Sequence, residues 1–349
     1  MIVIPLSVLD FFECPDIALP RSHDGRNFEG YLELLFQTYD QNLNRLDPRC
    51  GLSNRILQCR PDVEWLSRCI LRSVQQHLSG KPETAYAELL IGIHFVYDRL
   101  NTLKSLPVES SAIGPLYRII RPWRNPISRE CLFHVPFDQR HRVGQHRYGI
   151  PGFPCLYLGD SLELCKEECR IEDAELPSVA IAEFGLTQSV RLLDFGYRPS
   201  ALAQIAGANS ARLSGSNPDL EDFLVNYCVC WPLLAASSIK VAHEKSPFVE
   251  EYIVPQMILQ WAMSSSECDG IRYFSSRFDP EPRAIRGTVN YVFPATNPTG
   301  ANQGHSDDLK NKFEFTDAVI WGPQHVLDLR HEALRREADL HELPKSALR

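Results

Sequence analysis

The 349-residue chain is 44% hydrophobic and 23% charged, and its 36 Lys and Arg against 44 Asp and Glu give a formal net charge of −8. This composition is ordinary for a globular protein, and the length suits one large or two smaller domains. The acidic balance disfavours nonspecific nucleic-acid binding, which needs a basic surface. No stretch of about 18 uncharged apolar residues is present to span a membrane.

The first segment, MIVIPLSVLDFFECPD, is apolar, lacks a basic lead and meets Asp10 early. That argues against a signal peptide and predicts a buried first strand or an arm packed on the body. Residues 28 to about 105 read as helices. Phe28 to Asn44 is amphipathic, Val63 to Leu78 carries apolar residues at helical spacing, and Glu83 to Leu103 continues in that manner. Pro48, Gly51, Pro61, Gly80 and Pro82 punctuate them. Lys104 to Gly114, rich in Ser, Gly and Pro, reads as a linker.

Short β-like runs follow: Leu116–Ile120, Leu132–Val135, Cys155–Leu158, Val179–Phe184, Val190–Leu193, Ile239–Ala242, Gly270–Phe274, Asn290–Phe293 and Ala318–Trp321. Helices are predicted at about 162–172, 199–205, 219–232 and 249–263, with Pro255 in the first turn of the last. Residues 294–309 read as a polar loop. The fold class is α+β: a mostly helical N-terminal domain over 1–110, a second domain with a mixed β core over 111–330, and a charged tail over 331–349. The eleven cysteines lack disulfide-like or zinc-like spacing and fit buried thiols in a reducing cytoplasm. The histidines offer no metal site either: His134, His141 and His146 lie beside arginines, and cationic neighbours oppose metal binding.

The richest stretch is His146 to Glu168, HRYGIPGFPCLYLGDSLELCKEE. Pro154 and Gly159 fence a short apolar strand containing Tyr157, Ser161 reads as a helix N-cap, and Glu168 follows Tyr157 by eleven residues. Strand and helix can thus bring a tyrosine and a carboxylate to one cleft. Glu167 is the rival carboxylate. Adjacent helical residues point about 100° apart, so only one of the two can face inward. The basic cluster Arg140-His141-Arg142 with Arg147 could hold a pyrophosphate through charge-assisted hydrogen bonds.

This pattern resembles the RES domain, a toxin family named for an Arg, a Glu and a Ser. Tyr157, Ser161 and Glu168 match its strand-to-helix segment. Arg118 in Leu116-Tyr117-Arg118 matches its arginine, and Arg147-Tyr148-Gly149 stands where Arg-Trp-Asn is usual. Ser275, in Asp269-Gly270-Ile271-Arg272-Tyr273-Phe274-Ser275, matches its serine, with Ser276 as the nearest rival and Phe274 where Pro is common.

The resemblance implies a core like that of the ADP-ribosyltransferases and a reaction on NAD+ at the nicotinamide–ribose bond. On that basis the catalytic set is Glu168, Arg118, Tyr157 and Ser275, and the NAD-binding set is Arg118, Arg147, Tyr148, Tyr157 and Ser275. Glu168 would stabilise positive charge at C1′, Tyr157 would stack on nicotinamide, and Arg118 would grip the pyrophosphate or ribose. Ser275 would hydrogen-bond nicotinamide or a ribose hydroxyl. Arg121 and Arg124 lie close to Arg118 and offer a structural salt bridge instead. The family further implies an antitoxin partner with a helix-turn-helix domain, and a homo-oligomer is open. The alternatives are a mono-ADP-ribosyltransferase acting on a macromolecular target, or an inactive RES domain used for binding. A Rossmann, P-loop or Gly-x-Ser-x-Gly signature is absent.

Overall fold

The computed structural model describes residues 6–103, 113–121, 127–208, 218–244, 246–265, 267–278, 281, 283–284, 287–296 and 303–321. Residues 104–112 of the expected linker, Arg124, residues 297–302 of the polar loop and the 331–349 tail lie outside them.

The chain opens with α1 (Val8–Phe12), capped by Ser7 and Asp10 in a reciprocal box, with Phe11 and Phe12 buried. Where a buried first strand or a packed arm was expected, Val8–Phe12 is a helix, and residues 1–5 of that segment lie outside the described residues. Next come α2 (Phe28–Leu43), α3 (Gly51–Gln58), α4 (Arg60–Leu78), α5 (Pro82–Phe95) and α6 (Tyr97–Leu103). Of these, α3 was not foreseen, and the helix expected over 83–103 breaks at Val96.

The β-rich part follows with β1 (Leu116–Ile120), β2 (Cys155–Gly159), α7 (Leu162–Glu168), β3 (Ala180–Leu186) and β4 (Leu192–Phe195). Helices return as α8 (Pro199–Ala208), α9 (Pro218–Ser238) and α10 (Ile253–Ser264), with Pro255 in the first turn of α10. The last elements are β5 (Gly270–Phe274), β6 (Val289–Pro294), α11 (Asp307–Lys312), β7 (Phe313–Phe315) and β8 (Val319–Ile320).

Two apolar runs read as strands are not strands. Leu132 closes a 3-10 turn from Arg129, and Ile239 directly follows α9; both side chains are fully buried. Their apolar character serves burial without β pairing.

Two compact units emerge, and the chain crosses between them more than once. One holds Met1–Lys104 with Tyr197–Trp261, and the other Ser105–Gly196 with Ala262–Arg349. The sequence division at residue 110 placed 197–261 with the sheet; its contacts are with the first helices. The reason is α9. Val225, Tyr227, Val229, Trp231, Leu233 and Leu234 are buried all around its circumference, so it is a core helix, packed on α3, α4 and α6.

The helix predicted to stop near Pro232 runs on to Ser238. A proline in a helix interior leaves the carbonyl four residues earlier without its N–H. That carbonyl belongs to Cys228, and the Tyr39 hydroxyl donates to it at 2.8 Å. The Tyr39 ring stacks on Trp231 with centroids 3.9 Å apart.

The sheet unit has eight described strands in the order β4-β5-β6-β2-β1-β3-β7, with β8 also on β3. Only β4–β5 is parallel among the described pairs. β1 and β2 meet at one bridged pair, Tyr117↔Gly159, while β1 pairs with β3 over five residues and β2 with β6 over five. The sheet thus forks between β1 and β2, with Arg118 on one arm and Tyr157 on the other. No described helix is long and apolar enough to cross a membrane.

Candidate active site

The sequence of β2 explains its side-chain directions. Leu156 and Leu158 enter one apolar core, so Tyr157 between them points to the opposite face. Tyr157 Oη donates to the Tyr148 carbonyl at 3.0 Å, and its ring lies 5.3 Å from that of His146. Gly149 makes this approach possible, since a Cβ there would stand 2.2 Å from Tyr157 Oη. Burial first, then the neighbouring Cys155, pushes the Tyr157 phenol well above its ordinary pKa. It therefore stays neutral at physiological pH.

The Gly159-Asp160-Ser161 turn is a fastening. Asp160 accepts from the backbone N–H groups of Gly287 at 2.7 Å and Val289 at 2.9 Å. Ser161 Oγ donates to the Gly287 carbonyl at 3.0 Å and accepts from Leu164 N at 3.1 Å, which makes it the expected N-cap of α7. Gly159 admits the helix, because a Cβ there would meet Cys165 Sγ at 2.7 Å.

The other end of α7 is equally defined. Arg170 takes the left-handed conformation (φ +52°), Ile171 N donates back to the Lys166 carbonyl at 3.0 Å, and Arg170 N donates to Glu167 O at 3.1 Å. This is a Schellman-type end. Arg121 reinforces it with bonds to the Cys169 and Arg170 carbonyls at 3.0 and 2.7 Å and a two-pronged pair with Glu175.

Fixed at both ends, α7 turns Glu168 inward and leaves Glu167 exposed. Glu168 Oε1 accepts from Ser275 Oγ at 2.6 Å and from Asn290 Nδ2 at 2.7 Å, and Oε2 lies 3.7 Å from Arg277 Nε. Ser275, just past β5, is fully buried. Its hydroxyl also accepts from Arg277 N at 3.1 Å and Phe278 N at 2.9 Å. A hydroxyl offers one donor and two acceptor sites, so Ser275 Oγ is fully engaged in holding Glu168 and its own turn.

Arg147 Nη2 donates to Ser276 Oγ at 2.9 Å, which brings the Arg-Tyr-Gly loop to the same turn. Tyr148 is 1% exposed, with its ring 4.6 Å from that of Tyr273; it supports Tyr157 from behind through its carbonyl. Arg140 and Arg142 bond within their own loop, to Gly152 O and Gln139 Oε1.

Arg118, on the other arm of the fork, makes no hydrogen bond to the other site residues. Its buried Nη1 has no hydrogen-bond partner among the described residues. Burial lowers its pKa, and the groups that oppose this, Cys169, Tyr157, Cys165 and Cys155, are not carboxylates. Burying a guanidinium N–H without an acceptor is costly; an anionic oxygen placed there would relieve it.

Two members of the cluster were not foreseen from sequence, Asn290 and Arg277. Asn290 is a lone polar residue in the apolar run Val289–Phe293, and Arg277 follows Ser275 by two residues. Among the described residues no group of three or more His, Cys, Asp or Glu is placed to hold a metal ion, and all eleven cysteines are free thiols.

No protein-family model matches the chain, and no solved structure matches it. Among curated proteins it is similar to "Putative toxin YopC" of Bacillus subtilis (strain 168), with 27% identity over 314 residues, covering 88% of this chain and 68% of that one.

Proposed function

We propose that this chain is a NAD+-consuming toxin of the RES type that cleaves the nicotinamide–ribose bond and depletes NAD+. The observation that carries this is the Glu168 arrangement: one carboxylate, turned inward from α7, with one oxygen tied to Ser275 and Asn290 and the other not hydrogen-bonded among the described residues. The likeness to a protein named as a putative toxin supports the toxin assignment, and Arg118 Nη1, without a partner among the described residues, suits a phosphate or ribose oxygen.

The chemistry balances as follows. The C1′–N bond breaks with its electron pair passing to the pyridinium nitrogen, so nicotinamide leaves neutral. Positive charge builds at C1′, where the Glu168 carboxylate stabilises it. A water oxygen bonds to C1′, and Glu168 accepts its proton before releasing it to solvent. The products are nicotinamide, ADP-ribose and H+. Tyr157 supplies an apolar ring face for the nicotinamide, and Arg118 and Arg147 supply cations for the pyrophosphate.

The test is chromatography of NAD+ incubated with the purified full-length chain. Nicotinamide and ADP-ribose should appear in equal amounts. Nicotinamide with ADP-ribose attached to a macromolecule would identify a transferase instead, and intact NAD+ would refute the assignment.

A further inference from the structure

The two oxygens of Glu168 have different surroundings. Oε1 accepts two short hydrogen bonds, from Ser275 Oγ at 2.6 Å and Asn290 Nδ2 at 2.7 Å, both from buried residues. Oε2 has Arg277 Nε at 3.7 Å, outside hydrogen-bond distance, while the side chain retains 27% of its surface. A carboxylate held through one oxygen by two donors cannot rotate without breaking one of them.

The location of Asn290 is equally constrained. It sits on central strand β6, paired with Gly159 on one side and Tyr273 on the other, and directly opposed residues share a sheet face. Tyr157 lies two residues from Gly159 and shares that face. The sheet therefore sets the distance between the tyrosine and the carboxylate through Asn290.

We infer that Glu168 divides its two oxygens, Oε1 anchored by Ser275 and Asn290 and Oε2 meeting the reacting centre, and that Asn290 is a positioning residue for the reaction. This rests on the proposed NAD+ cleavage and adds to it the identity of the working oxygen and a residue that acts through Glu168. Arg277, 3.7 Å from Oε2, sets the charge beside that oxygen, and both side chains retain 27% of their surface.

The test compares full-length wild type, Asn290→Asp and Asn290→Ala by steady-state nicotinamide release, with melting temperature measured alongside. Asn290→Asp keeps the shape and replaces a donor with an acceptor facing Oε1. Its kcat should fall on the order of 10²-fold, and that of Asn290→Ala on the order of 10-fold, with KM for NAD+ within about twofold of wild type in both. A purely packing role would lower the melting temperature without this order, in which the isosteric variant is the worse. If neither variant folds, Asn290→Ser replaces them; its short hydroxyl cannot span to Oε1, so its kcat should fall like that of Asn290→Ala. Folded variants with kcat within twofold of wild type overturn the division of oxygens, as does a raised KM with unchanged kcat, which would mean direct contact with substrate. A wild-type chain that releases no nicotinamide overturns the proposed function and this inference together, whereas an active wild type with unaffected Asn290 variants overturns this inference alone.

Discussion

Two arginines three residues apart are used in opposite ways. Arg121 lies exposed just beyond β1 and is matched by Glu175 and by two carbonyls at the end of α7. Arg118 lies within β1 with its end buried, and its Nη1 meets no acceptor. Solvent could have satisfied the first at little cost, yet the fold pairs it; the second is half-buried, with one buried nitrogen that has no partner among the described residues. A matched charge at the end of β1 fastens α7, whereas the buried Arg118 Nη1 is the group the proposed function assigns to NAD+. Glu167 and Glu168 repeat the contrast, one exposed to water and the other turned inward with an oxygen to spare.

The largest expected effect is on the carboxylates. Glu168→Gln should lower kcat for nicotinamide release on the order of 10²-fold or more, the scale for losing an electrostatic stabiliser, with folding intact by circular dichroism. Glu167→Gln should stay within about twofold. The reverse result would break the contrast at α7. Next comes the close approach at Gly149. An added Cβ there forces Tyr157 Oη off the Tyr148 carbonyl, so Gly149→Ala should cost about 1–3 kcal/mol by denaturant unfolding, typical of overpacking, together with turnover.

Arg118→Ala should weaken NAD+ binding about tenfold by calorimetry, the scale of a charge-assisted hydrogen bond, while melting temperature holds or rises because an unpaired buried cation is gone. Arg118→Lys should recover little, since a point charge lacks the planar fork. A fall in stability with unchanged affinity would make Arg118 a second Arg121.

The smallest effect sharpens the other side. The Arg121 guanidinium, and after it the Glu172 N–H, holds the Glu175 carboxyl at about 2, below its ordinary 4.5. A depressed carboxylate stabilises the fold above the unfolded pKa, and that contribution is lost as pH falls from about 4.5 towards 2. Arg121→Ala should therefore lower the melting temperature slightly at neutral pH and flatten its decline over that acid window, with NAD+ affinity unchanged.

Much of this was legible in the sequence because the signals were local. Ser161 capping α7, the Leu156-Tyr157-Leu158 alternation and the apolar runs of β1, β5 and β6 each follow from neighbours a few residues apart. What escaped was set by distant partners. Pro232 marked a helix end until Tyr39 supplied the donor that the proline lacks. Leu132 and Ile239 were read as strand residues because burial and β pairing leave the same apolar mark. The bond of Ser275 to Glu168, 107 residues away, carries no local signal. Asn290, 122 residues from Glu168, carried no signal beyond being polar in an apolar strand.

If Arg118 serves to bind NAD+ and Glu168 to cleave it, binding and chemistry can be separated. The measurement is the thermal shift of the Glu168→Gln chain titrated with NAD+, alongside the double variant Arg118→Ala/Glu168→Gln. A ligand that binds only the folded state stabilises it by RT ln(1 + [L]/Kd). Glu168→Gln should show a saturable rise in melting temperature without release of nicotinamide, and the double variant a titration displaced about tenfold to higher NAD+. No shift with NAD+ in Glu168→Gln, or identical titrations in both variants, would contradict these roles.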